Sequence, residues 1–166
     1  MSAGERNLRD CLGQFASGVT VVTTRCGDGG AVHGATVSSF TSVSLRPPLV
    51  MVSLDRRSRL SALLAGGPFG VNVLAAGQSR LALRFAGRGG PVDEDVEWQD
   101  GGPAPRLAGA VAHFTCAPWA AHDGGDHVLY IGEVLGFDAP GGEPLVFHGG
   151  AFHALRGAAA LGAGGR

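Results

Sequence analysis

The sequence predicts a mainly β single domain whose sheet closes into a barrel, with a few short helices against it. Three observations carry this. Six or seven short runs rich in β-branched residues recur along the chain, most of them bounded by Gly or Pro. Helical spacing of apolar residues appears in only three short segments. A length of 166 residues with 45% hydrophobic content supports one real core and not two. A β-rich domain of this size closes its sheet because open edges invite aggregation.

Leu8, Leu12, Phe15 and Ala16 recur at helical spacing, so residues 5–16 read as an amphipathic helix that Gly18 ends. The β-branched run 19–24 follows, then Gly27-Asp28-Gly29-Gly30, a turn cluster that predicts a hairpin returning near Ala31. Further strands are expected at 36–44, 49–54, 69–74, 110–116, 128–137 and 145–147. Residues 58–64 and 79–85 each place apolar residues three and four apart behind a serine able to cap a helix. Residues 86–107, crowded with Gly, Pro and acids around Trp98, read as a long excursion, either a lid or a loop packed on a partner subunit. Residues 1–156 are taken as the domain, and the alanine- and glycine-rich stretch 157–166 as a disordered tail.

The formal net charge of -1, with no basic run, excludes the electrostatic footprint of a nucleic-acid binder. No apolar stretch reaches the ~18 residues of a membrane span, and Glu5, Arg6, Arg9 and Asp10 stand where a signal peptide would be apolar. A cytoplasmic location is therefore expected. Cys11, Cys26 and Cys116 are widely spaced and form no C-x-x-C pair, which fits neither a disulfide framework nor a zinc site. All 13 basic residues are arginine, which rules out a P-loop lysine, a Schiff-base lysine and lysine-bound pyridoxal phosphate. Neither G-x-G-x-x-G nor G-x-S-x-G is present despite 29 glycines, so any nicotinamide site uses another architecture. His148 and His153, five apart and without a carboxylate cluster, match no zinc pattern, and no metal is expected.

The most pointed stretch is Gly34-Ala35-Thr36-Val37-Ser38-Ser39-Phe40-Thr41-Ser42-Val43-Ser44, where six hydroxyls adjoin apolar residues on one expected strand. Such a strand can bind a polar ligand along its edge; equally, its Ser and Thr can simply face water.

Four ordered blocks resemble the short-chain flavin reductases that serve two-component flavin monooxygenases. They are residues 15–24, Phe-Ala-Ser-Gly-Val-Thr-Val-Val-Thr-Thr; residues 33–44 with Pro47-Pro48-Leu49-Val50; Phe69-Gly70-Val71-Asn72-Val73-Leu74; and Gly125-Asp126-His127 with Gly132-Glu133-Val134. The likeness runs from about Leu8 to Leu155. It implies an FMN-binding split β-barrel with flavin at a homodimer interface, and NAD(P)H-dependent reduction of FAD or FMN. FAD is slightly favoured, and NADH is favoured over NADPH. The reduced flavin would pass to a flavin-dependent monooxygenase.

By that resemblance Gly34, Ala35, Thr36, Val37, Ser38 and Ser39 run beside the flavin, the backbone meeting the ring's pyrimidine edge and the serines approaching the ribityl phosphate. Ser53, Leu54, Arg57, Ser58 and Arg59 match the next flavin-binding stretch, the alternative being a solvated arginine face. Arg84, Phe85 and Ala86 fall where the family's chain passes the nucleotide end of the flavin. Asp126 and His127 correspond to the motif that holds the nicotinamide cofactor, and Phe152 to an aromatic near the flavin and nicotinamide rings. The chain departs from the usual pattern at Ala35, where methionine is frequent, at Arg46, where an acidic or polar residue is frequent, and in following Gly150 with Ala151. No acid or base is expected to act in the chemistry, since hydride transfer between two cofactors asks the protein for proximity and orientation. A split-barrel flavoprotein that retains its flavin and a non-catalytic flavin carrier are the alternative readings.

Overall fold

A computed structural model of the chain describes residues 3–27, 30–88, 96–99 and 102–155. The expected tail at 157–166 and the centre of the expected Gly27–Gly30 turn lie outside these. Helices are α1 (Ala3–Leu12), α2 (Arg59–Leu64) and α3 (Ser79–Phe85). Strands are β1 (Ser17–Gly18), β2 (Thr20–Arg25), β3 (Val32–Val37), β4 (Thr41–Leu45), β5 (Pro48–Asp55), β6 (Phe69–Val73), β7 (Trp98–Gln99), β8 (Arg106–Leu107), β9 (Ala112–Gly124), β10 (His127–Asp138), β11 (Leu145–His148) and β12 (Ala151–Ala154).

Seven strands form one antiparallel sheet in the order β3-β2-β6-β9-β10-β5-β4. Its two edge strands, β3 and β4, are neighbours in sequence. Four Cα steps separate Val37 from Thr41, a span of at most ~14 Å, so the sheet must curl until its edges approach. The seam stays open as a backbone ladder, and one side chain crosses it: Ser39 Oγ accepts from Ser53 N at 2.9 Å and donates to Ser53 O at 3.0 Å. This is a split barrel, as expected. The expected single strand over 36–44 is broken at Ser38–Phe40, because the chain there passes from one sheet edge to the other.

Both faces of β2 are buried. Val22 joins Val37, Val52, Leu54, Phe69 and Val71 inside the barrel, while Val21 joins Val19, Leu74, Phe85, Leu107 and Leu145 on the outside. The outer cluster is capped by α3 and by a small sheet in which β11 pairs with β1 and β12.

Ser58 caps α2 as expected, its Oγ accepting from Ser61 N at 3.1 Å. Ser79 does not cap α3. A 3-10 turn at Ala76–Gln78 precedes it, and Gln78 Oε1 accepts from Ala75 N at 2.9 Å instead. Helix α1 stops at Leu12, short of the expected residue 16, and its apolar residues do not enter the core: Leu8, Leu12 and Phe15 are all exposed. Strand β9 runs eight residues beyond the expected 110–116, because pairing with β10 overrides a segment whose Pro118 and Trp119 sit at a register shift.

The described part of the excursion after α3, residues 96–99 and 102–107, packs on its own sheet rather than standing as a lid. Val96 and Trp98 lie against the outer cluster and Leu107 is fully buried. Buried Asn72 pins it: Nδ2 donates to Val21 O at 3.0 Å, and Oδ1 accepts from Leu107 N at 2.8 Å. Thr23 Oγ1 donates to Pro105 O at 2.6 Å. The part at residues 89–95 and 100–101 lies outside the described residues.

Burial pushes the Cys116 thiol up to about 12, whereas Cys11 is exposed. A disulfide reagent at mildly alkaline pH is therefore expected to modify Cys11 in the native protein and to reach Cys116 only on unfolding. Equal native rates would contradict this packing.

Candidate functional site

Two cavities adjoin where β3 ends. The larger, about 540 Å3, lies between the end of α1 and the β11–β12 turn; the smaller, about 300 Å3, lies between α3 and the same hairpin. Ser38, Phe147 and Gly150 line both, so they form one cleft. A third cavity, about 500 Å3 and lined by Arg25, Gly66 and Pro103 among others, contains none of the expected site residues.

The cleft is built from the β11–β12 hairpin and the open edge of β3. The register opposes Phe147 to Phe152, and their rings sit 5.6 Å apart, tilted by 60°. Gly149 and Gly150 turn the hairpin at φ 58° and 80°, a conformation costly for residues with a Cβ. Gly149 N donates to Gly13 O at 2.8 Å, fixing the turn against the end of α1. Strand β3 pairs with β2 on one side only, so its outer edge offers backbone N–H and C=O groups.

Of the expected flavin residues, Thr36, Ser38 and Ala86 line the smaller cavity, together with Phe152 from the expected nicotinamide set. Thr36 Oγ1 is committed to Ala82 O at 2.6 Å. Ser38, exposed at the bend, makes no side-chain hydrogen bond among the described residues. Ala35, Val37 and Leu54 pack on the barrel interior. Gly34 makes room for buried Phe85: a Cβ there would stand 2.8 Å from its ring. Ser53 is the partner of Ser39 across the seam, and Arg84 sits half-buried in the last turn of α3.

Arg57, Arg59, Asp126 and His127 line neither cavity. Arg59 is exposed at the start of α2. The others form a polar cluster where β5 meets the β9–β10 turn, with His127 opposite Asp55 in register. Arg57 pairs with Asp55 at 3.1 Å, and His127 Nδ1 lies 2.7 Å from Asp126 Oδ1.

Sequence reasoning passed over Arg56, which clamps this turn. Its Nε and Nη2 donate to Gly125 O at 3.0 and 2.8 Å, and Nη2 meets Asp123 Oδ2 at 3.1 Å. Three arginines within four residues, Arg56, Arg57 and Arg59, give no sign of which one faces the turn. Phe147 and Arg88, which also line the smaller cavity, were missed for the same reason: their aim is set by hairpin register and by a helix cap.

The cluster's carboxyls are held below the usual 3.8. The Arg57 hydrogen bond lowers Asp55, the Gly125 N–H and then Arg56 lower Asp123, and the His127 hydrogen bond lowers Asp126. A depressed folded value means that their stabilisation is complete above the ordinary carboxylate value and is lost as pH falls through the folded ones. Carboxyl-carbon NMR titration should therefore give midpoints below 3.8 for all three. A midpoint above that value would contradict these contacts.

Residues 12–156 match the family described as flavin reductase like domain. An NADH-dependent FMN reductase of Agrobacterium fabrum is 45% identical over 150 residues, covering 89% of this chain and 84% of that protein. The NADH:FAD oxidoreductase of Streptomyces globisporus, solved in complex with NAD and FAD fragments, superposes with a TM-score of 0.84 at 39% identity, covering 97% of this chain and 98% of that one. The flavin reductase of styrene monooxygenase from Pseudomonas putida S12 gives a TM-score of 0.82 at 35% identity, over 90% of this chain and 98% of that one. With the curled, open-seamed sheet and the cleft beside its β3 edge, these likenesses place the chain in the flavin reductase like domain family.

Proposed function

We propose that the protein reduces flavin at the expense of NADH and releases the reduced flavin to a partner monooxygenase. The observation that carries this is the cleft: an aromatic hairpin wall, a glycine turn and an open strand edge, beside a hydroxyl free to meet a ligand, on a chain whose relatives are NADH-dependent flavin reductases. These residues fit a flavin. Phe147 and Phe152 offer ring faces, the β3 edge offers alternating donors and acceptors, and Ser38 offers a hydroxyl. When bound, flavin and nicotinamide supply the hydride chemistry between them. The chain's part is to hold two flat rings in stacking distance and to keep water out with apolar walls, which include Val19 and Leu83.

Both FAD and FMN suit this reading, and relatives act on each. Arg57, Arg59, Asp126 and His127 are assigned to the phosphate groups and the nicotinamide. Since they line neither cavity of their own chain, this role needs either an extended dinucleotide or a second copy of the chain.

A homodimer is part of the proposal. Register shifts in β4, β9 and β10 leave Val43, Trp119 and Leu135 as extra residues, and all three are exposed, with Leu45 beside Val43 88% exposed. These strands and β5 are contiguous, so the barrel presents apolar side chains that a second copy would cover. Sedimentation velocity is expected to give a dimer, shifted toward monomer by Trp119→Glu; a wild-type monomer would contradict it.

The function is tested by following NADH oxidation with FAD, FMN or riboflavin added in excess. Turnover that saturates with free flavin is expected. Oxidation independent of added flavin would favour a retained flavin, and none at saturating flavin would favour a carrier.

A further inference from the structure

We propose that Arg88 is the residue by which the cleft distinguishes a phosphorylated flavin from an unphosphorylated one, its guanidinium taking the phosphate nearest the ring system. This rests on the flavin reductase reading and goes beyond it in naming the specificity determinant.

The backbone places Arg88 by a helix cap. Gly87 takes φ 74° after α3, its N–H donates to Arg84 O at 3.0 Å, and the Arg88 N–H donates to Leu83 O at 2.8 Å. This pair of bonds is the Schellman arrangement, which requires a left-handed residue where Gly87 stands and fixes the direction of the next one. Arg88 is therefore carried to the smaller cavity by the same turn that ends the helix, and not by a free loop.

Among the described residues Arg88 is the one charged group lining that cavity, whose walls are otherwise apolar or hydroxyl-bearing. Its guanidinium makes no hydrogen bond or ion pair with any described residue, and no described carboxylate lines the cavity to compete for it. The larger cavity differs, since Arg9 and Asp10 both line it and offset one another in charge. A guanidinium without a partner among the described residues, beside two aromatic rings, suits a ligand that is flat and aromatic at one end and anionic at the other. The planar fork of arginine matches two phosphate oxygens at once. At about 300 Å3 the cavity takes a ring system and leaves a charged tail to emerge at the rim. FMN and FAD both carry a phosphate there; riboflavin does not.

The test is steady-state kcat/KM for FMN, FAD and riboflavin with the wild-type protein, Arg88→Gln and Arg88→Lys, at saturating NADH. Arg88→Gln is expected to lower kcat/KM about 10- to 100-fold for FMN and FAD while riboflavin stays within about twofold, as for loss of a charge-assisted hydrogen bond. Arg88→Lys should recover part of the loss, and the KM for NADH should not move. Equal losses with all three flavins, or a loss confined to the KM for NADH, would overturn the assignment. Wild-type protein that reduces none of the flavins would instead overturn the underlying reading, so the two failures are distinguishable.

Discussion

Replacing Phe152 with alanine is expected to lower kcat/KM for flavin-dependent NADH oxidation about 30-fold, equivalent to about 2 kcal/mol of lost ring burial and stacking. Phe152 is half-buried on the edge strand β12, paired in register with Phe147, and forms one wall of the smaller cavity. Its truncation removes a ring face from the cleft without opening the barrel core, so the melting temperature should change little. His127→Ala provides the contrast: the turn it leaves behind is still held by Arg56, and the loss should appear in the KM for NADH alone. If Phe152→Ala and His127→Ala both left turnover and the KM for NADH unchanged, the proposed placement of the two cofactors would fail.

Asn72→Ala is expected to have the largest effect on stability, about 3–4 kcal/mol, from a cavity together with buried backbone groups left without partners. Asn72 is 1% exposed, and its amide joins three segments: it donates to Val21 O and Thr23 Oγ1 and accepts from Leu107 N. Losing it leaves the Leu107 N–H buried and unpaired and frees the excursion from the sheet. For a chain of this size the melting temperature should fall about 10 °C, and hydrogen exchange at Leu107 should rise more than at the centre of β10. A loss of only a few degrees, with Leu107 still protected, would show that Thr23 and the Arg106, His113 and Asp138 contacts hold the segment without Asn72.

Much of the fold was legible because its local rules agree with its topology. The β-branched run of β2, the Ser58 cap and the Gly- and Pro-bounded strands carry their structure in adjacent residues. What could not be read depended on distant partners. Nothing local tells Ser38–Phe40 to cross from one sheet edge to the other, and residues 117–124 become strand only because β10 lies beside them. The apolar face of α1 is legible from its spacing, yet it remains exposed, since periodicity shows that a face is apolar and not what covers it.

The site divides in the same way. Thr36, Ser38, Ala86 and Phe152 were named from the family resemblance and meet in the cleft. Ala35, Val37 and Leu54 came from the same resemblance, but alternation along a strand sends every second side chain to the opposite face, and these pack into the barrel, while Gly34, on the face of Thr36, leaves room for Phe85. Arg56 and Arg88 were invisible because one is chosen by the geometry of a turn and the other by a helix cap.

Flavin as a substrate that leaves in reduced form predicts a distinct outcome for anaerobic reduction with flavin and NADH both in large excess over the protein. Loss of the flavin's visible absorbance should proceed through many equivalents per protomer and match NADH consumption one for one. Bleaching that stops at one equivalent per protomer, or never begins, would contradict it.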